Sequence, residues 1–186
     1  MAEHFDQLNE LNERISLHEK ITATHKSINA LFPFIARIAV AIYDPGSGLI
    51  KTYIHSSDIP PSLNHYQAYL DDVPSLKKIK DRGLPRVINN FLTFEHSGNE
   101  HTKRIGRQGY VASYTLPMFN NGEFFGFVFF NSNKKNVFTE TVLQQIDIYG
   151  HLISLMVINE SNIIHTLTAA VKTTGNITHL RDPETG

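Results

Sequence analysis

Histidine is the residue in this chain with the widest chemical range, and its ten copies are scattered along the 186 positions. None is followed by Asp, and none sits in a His-Glu-x-x-His helix, so the tight spacings that hold a catalytic metal are missing. His96 and His101 flank a short loop segment and make at best a weak zinc pair. Cysteine is absent altogether, which removes disulfides, thiolate zinc sites, iron-sulfur clusters, cysteine nucleophiles and any thioether-linked pigment. There is no Gly-x-Ser-x-Gly elbow, which disfavours a serine hydrolase. The Gly46-Ser47-Gly48 stretch lacks the later Gly and Lys of a phosphate loop and reads as a turn. Taken together, these absences point to binding rather than catalysis.

The bulk composition agrees. With 41% hydrophobic residues, a formal net charge of -1 and a sequence pI near 6.8, the chain carries enough apolar material for one domain plus extensions. Its even charge excludes a nucleic-acid groove or a polybasic membrane patch. The polar N-terminus shows no secretory signal, so residence in the cytoplasm is expected. The apolar stretch from Ile146 to Ile164 is interrupted by Asp147, His151, Asn159 and Glu160, and is expected to pack as a helix rather than span a bilayer.

The elements that must position any site follow from periodicity. Glu3 to Leu31 lacks Gly and Pro and predicts one long helix, with Leu17, Ile21, Ile28 and Leu31 on a seam stepping by three and four. Such a seam serves a coiled coil or a helix laid on its own sheet equally well. Arg37 to Ser56 predicts a hairpin turning at 44–48, Ser62 to Gly83 helix, and Pro85 to Asn89 a short strand. A loop over 90–99 and a short helix over 100–110 come next. Tyr110 to Ser132 then predicts a second hairpin at Asn121-Gly122, a pair suited to a type I′ turn. Thr139 is placed to cap a final helix running to Lys172 and stopped by Gly175. Ile153, Val157, Ile164 and Leu167 continue its apolar seam, and a homodimer through both terminal helices is expected.

This order of elements resembles a GAF domain over about residues 20–160. The likeness is most specific at Ser113, Pro117, Gly122, Gly126, Phe138 and Thr139, in a segment similar to the family's strand-turn-strand-helix signature. It implies an α+β fold: a central antiparallel sheet with the long terminal helices on one face, and short helices with a small-ligand pocket on the other. Cyclic-nucleotide-binding members carry an acidic pair after an Asn-Lys and a Phe. Here Asn133-Lys134 and Phe138 match, but Val142 and Leu143 stand where the acids belong. Noncovalent haem on a histidine stays open. Alternation along 111–117 places Ser113 and Thr115 on one face, and these, with Tyr53, Tyr69, Asn89, Phe127 and Phe129, are the candidate walls of a pocket for an unknown small molecule.

The terminal Arg181-Asp182-Pro183-Glu184-Thr185-Gly186 resembles the opening of an HD-GYP phosphodiesterase domain, the class that hydrolyses cyclic di-GMP. That likeness implies Glu184 as a ligand for iron or manganese in a domain whose remaining ligands are not in this sequence, and no cofactor in the chain itself. The expected organisation is an N-terminal helix (1–36), a GAF core (37–160), a linker helix (161–180) and the start of the HD-GYP domain (181–186). The reading is a non-enzymatic sensor controlling a bacterial phosphodiesterase, with a ligand-free dimerisation module as the alternative.

Overall fold

A computed structural model describes residues 6–57, 67–91 and 109–180, and its first helix begins at a capping box. The Ser16 hydroxyl accepts the Glu19 amide at 3.3 Å while the Glu19 carboxylate accepts the Ser16 amide at 2.7 Å. These two bonds satisfy groups that a helix start leaves orphaned. They also hold the Glu19 carboxyl below its ordinary pKa, the Ser16 side chain being the largest cause. Helix α1 therefore runs Leu17–Leu31, preceded among the described residues by a 3-10 turn at Asn9–Asn12 and an extended Glu13. The continuous helix expected from Glu3 is broken at its own Ser-x-x-Glu signal.

Among the described residues six strands follow in one antiparallel sheet: β1 (Ile35–Asp44), β2 (Leu49–Ser57), β3 (Gln67–Tyr69), β4 (Arg86–Ile88), β5 (Ala112–Asn120) and β6 (Glu123–Ser132), in the spatial order β3-β2-β1-β6-β5-β4. Both hairpins form where the turn residues place them. Asn121 and Gly122 take φ of 52° and 86°, the two positive angles a type I′ turn requires. At the first hairpin the Asp44 carboxylate accepts the Gly46 amide and the Ser47 hydroxyl. The helix expected over 62–83 is shorter than its pattern. Gln67–Tyr69 pairs with Leu49–Lys51 as an edge strand, and among the described residues of that span only Pro74–Arg82 is α-helix, here α2. Pro74 is the reason, since it forces Val73 out of helical backbone and pre-sets the first helical turn after it. Of the loop expected over 90–99 and the short helix expected over 100–110, residues 92–108 lie outside the described residues.

Helix α3 spans Glu140–Leu180, with the Thr139 hydroxyl accepting the Val142 amide at its start. It continues through Gly175, where a stop was expected; one interior glycine costs about 1 kcal/mol, too little alone to end a helix. Alternation along the strands gives the sheet two different faces. On one, Ile21 and Ile28 of α1 and Ile146, Ile153 and Val157 of α3 are wholly buried against Ile38, Val40, Tyr114, Val128 and Phe130. Each such aliphatic side chain contributes about 1.5–3 kcal/mol on burial. By length and mean hydropathy Glu140–Ala169 is apolar enough to cross a bilayer, so its charges alone do not decide the matter. The packing of its first half on the sheet reads as a core helix.

One residue fixes how closely the central strands approach. A Cβ built on Gly126 of β6 would lie 2.1 Å from the Ala41 carbonyl oxygen of β1, with φ at 156°. Gly126→Ala is expected to lower stability by about 3 kcal/mol, because the obstacle is backbone and cannot swing aside. A urea unfolding curve checks this; an unchanged midpoint would show that β1 and β6 separate freely.

Candidate functional site

The face of the sheet turned away from α1 and α3 is built from the strand positions between those that pack on the helices. Cα pairing aligns Ser57, Arg37, Asn131, Ser113 and Ile88 across β2, β1, β6, β5 and β4. The next row holds His55, Ala39, Phe129, Thr115 and Arg86. Ser113 and Asn131 are directly opposed and buried, at 3% and 1% exposure. Yet the Ser113 hydroxyl and both amide atoms of Asn131 lack any hydrogen-bond partner. Leaving a buried polar group unsatisfied costs about 1–3 kcal/mol, so three such atoms side by side are not the signature of a settled core.

Arg37 stands in this row beside Asn131, and Arg86 in the next row beside Thr115. Burial, the leading cause in each case, lowers both guanidinium groups from their ordinary pKa, with Tyr110 partly offsetting it at Arg37. Among the described residues the ion pair present is Lys77 with Asp71, so neither arginine is matched by a carboxylate. Their strands stand three spacings apart, about 14 Å at roughly 4.8 Å per strand. The buried Tyr110 hydroxyl meets the Ser57 hydroxyl at 3.1 Å, closing the β2 end of the row with another polar atom. Phe127 and Phe129 lie on the same face and pack with Leu70, Val73, Leu76 and Ile79 under α2. The site is thus an opposed Ser113–Asn131 pair without hydrogen-bond partners, with an arginine beside it, a second in the next row, and an aromatic wall.

Of the residues expected to line a pocket, Ser113, Thr115, Phe127 and Phe129 share this face. The other three do not converge on it. The Asn89 carboxamide donates to the Phe138 carbonyl and accepts the Phe138 amide, at 3.2 and 3.0 Å, which pins the segment leading into α3. Tyr53 and Tyr69 are 44% and 55% exposed, near or on the edge strand side of the sheet. Sequence reasoning passed over Arg37, Asn131, Arg86 and Tyr110. Asn131 ends an aromatic run and looks like a strand terminus; only its pairing with Ser113 reveals it. Among the described residues no group of three or more His, Asp or Glu side chains could hold a metal. His25 is committed to structure, its ring nitrogens each 2.9 Å from Ser56 Oγ and the Ile35 carbonyl. Glu184 lies outside the described residues.

The expected dimer seam divides. Ile21, Ile28, Ile153 and Val157 are 0% exposed within the chain's own core, which corrects their assignment to an intermolecular seam. Leu17 packs at the core's edge. Leu31, Ile164 and Leu167 are exposed.

No protein-family model matches the chain, and no curated protein matches it by sequence. Solved structures do match by shape. The phycocyanobilin-bound GAF domain of a cyanobacterial phytochrome superposes with a TM-score of 0.63 at 18% identity, covering 86% of this chain and 93% of that one. The fold is that of a GAF domain. A second GAF domain, from an Acinetobacter phosphoenolpyruvate-protein phosphotransferase, gives a TM-score of 0.63 at 13% identity over 84% of this chain and 91% of that one. Val142 and Leu143, which stand at the positions compared with the acidic pair of cyclic-nucleotide binders, are partly buried on the first turn of α3 and pack against the core.

The orphaned row makes a test without knowledge of the ligand. Removing the unsatisfied hydroxyl in Ser113→Ala is expected to leave the ligand-free protein as stable or up to about 1 kcal/mol more stable, since no hydrogen bond is lost and a desolvated polar atom disappears. A lower urea midpoint would mean that Ser113 has a structural partner.

Proposed function

We propose that this GAF domain is a regulatory module that binds a small polar or anionic molecule on the sheet face opposite α1 and α3. The observation that carries the reading is the opposed Ser113–Asn131 pair, buried with three unsatisfied atoms. A ligand supplies the partners such a row lacks, and apolar walls with a few placed polar groups are what small-molecule sites present. The phytochrome neighbour's phycocyanobilin is a chromophore of that protein; with no cysteine, this chain offers a bilin no thioether bond. Thermal-shift screening with nucleotides, haem and organic anions tests the proposal, because a molecule binding only the folded state raises Tm with its excess over Kd. A true ligand is expected to lose its shift in Ser113→Ala. If no compound shifts the wild-type protein, sensing by this face is refuted.

The finer reading, control of an HD-GYP phosphodiesterase that uses iron or manganese on cyclic di-GMP, is supported by the likeness of Arg181–Gly186 alone. Any ligand found in the screen should change cyclic di-GMP turnover by the full product of the gene; a product with no such turnover sinks that coupling.

A second reading, a dimerisation module within the same signalling protein, is supported by α3 beyond the sheet. Its buried stripe through Val157 continues as Ile164, Leu167 and Val171, which are 50%, 61% and 71% exposed. An apolar stripe of this kind is stable only when covered. Light scattering is expected to report a dimer, and Leu167→Glu to dissociate it; a wild-type monomer at tens of micromolar would exclude this reading.

A further inference from the structure

We propose that the cleft between α2 and β4 binds the phosphate group of a small metabolite, gripped by Lys78, Arg82 and Arg86 with the Ser75 hydroxyl as a neutral donor. The inference does not use the Ser113–Asn131 pair, although Arg86 stands in the neighbouring row of the same sheet face. Its cations are identified by elimination along α2. Lys77 is held 2.7 Å from Asp71, and the Lys80 ammonium sits 4.6 Å from the centre of the Tyr43 ring. Lys78 and Arg82, one helical turn apart, are left to line the cleft. Gly83, in the left-handed conformation at φ 64°, ends the helix and turns the chain so that β4 returns Arg86 to the same cleft.

Three cations crowd here, and among the described residues that line the cleft there is no carboxylate. A solvated helix face accounts for Lys78 and Arg82 but not for the groups beneath them. The Ser75 hydroxyl and the Arg86 Nε are buried and both lack a hydrogen-bond partner. A phosphate answers both vacancies and the excess charge at once, with guanidinium donors that match its oxygens. Leu84 and Pro85 add an apolar wall, and the volume of about 380 Å³ lies within the range of small-molecule sites, roughly 300–1,000 Å³. A free inorganic ion leaves that wall unused, which is why the phosphate is assigned to an organic molecule.

Calorimetric or NMR titration of the intact chain with inorganic phosphate and with phenyl phosphate tests this. Saturable binding of both is expected, tighter for phenyl phosphate and weaker at high salt. Lys78→Gln/Arg82→Gln, at exposed positions that leave the fold intact, should weaken it about tenfold or more. Ser75→Ala should weaken it a few-fold, and Ser113→Ala not at all. Absence of binding, binding indifferent to the double substitution, equal affinity for the two probes, or loss of binding in Ser113→Ala would each overturn the assignment; the last would move the anion to the sheet face, where its failure here leaves that reading standing.

Discussion

Among the described residues a sheet of six strands has two faces to cover, and the two long helices lie on only one of them. Everything else in the structure follows from that inequality. Strand side chains alternate, so each strand must satisfy two environments at once. On β5, Ala112, Tyr114, Leu116 and Met118 meet the helices while Ser113 and Thr115 meet the other side. On β6, Val128 and Phe130 do the first and Phe129 and Asn131 the second. Helix α2, nine residues long, covers only the part of the second face that carries Phe127 and Phe129. The polar row lies beside that cover.

How much of this was legible depends on whether the information is local. Turn chemistry is local, and Asn121-Gly122 declares its hairpin without help from the fold. Alternation is local too, so Ser113 and Thr115 could be placed on a shared face from their own strand. Register is not local. Asn131 becomes informative only because β6 pairs with β5 so that it faces Ser113, and Arg37 only because β1 pairs with β6 beside it. Asn89 shows the opposite error: its amide looked available in sequence, and a backbone segment 49 positions later uses both ends of it. The capping box at Ser16 was fully written in the sequence, yet the unbroken helical texture around it concealed the break.

The terminal helices show why an apolar stripe does not name its partner. Steps of three and four residues give one buried face whether the cover is a sheet or a second chain. On α3 both cases occur along one stripe, since Ile153 and Val157 lie on the sheet and Ile164 and Leu167 extend past it. The register of the stripe is unbroken because the helix is. Where the sheet ends is a tertiary fact, and no periodicity in the helix reports it.

The same strand that carries the candidate site also holds the exit helix. Ser113 faces the unsatisfied row, and its neighbour Tyr114 passes through to the other side and donates a hydrogen bond from its hydroxyl to the Asp147 carboxylate of α3. Burial, the leading cause, and that bond both push the Tyr114 hydroxyl well above its ordinary pKa, so it acts as a donor throughout the accessible pH range. Two residues on, Leu116 fills the notch at Gly150, where a Cβ on the helix would come within 2.6 Å of its methyl group. Helix α3 is therefore seated on β5 by a polar strut and a fitted contact about one turn apart. Any change in the position of β5 at Ser113 would therefore bear on both supports of a helix that continues without a break past the sheet. Between the Ser113–Asn131 row and α3 stands the thickness of one strand.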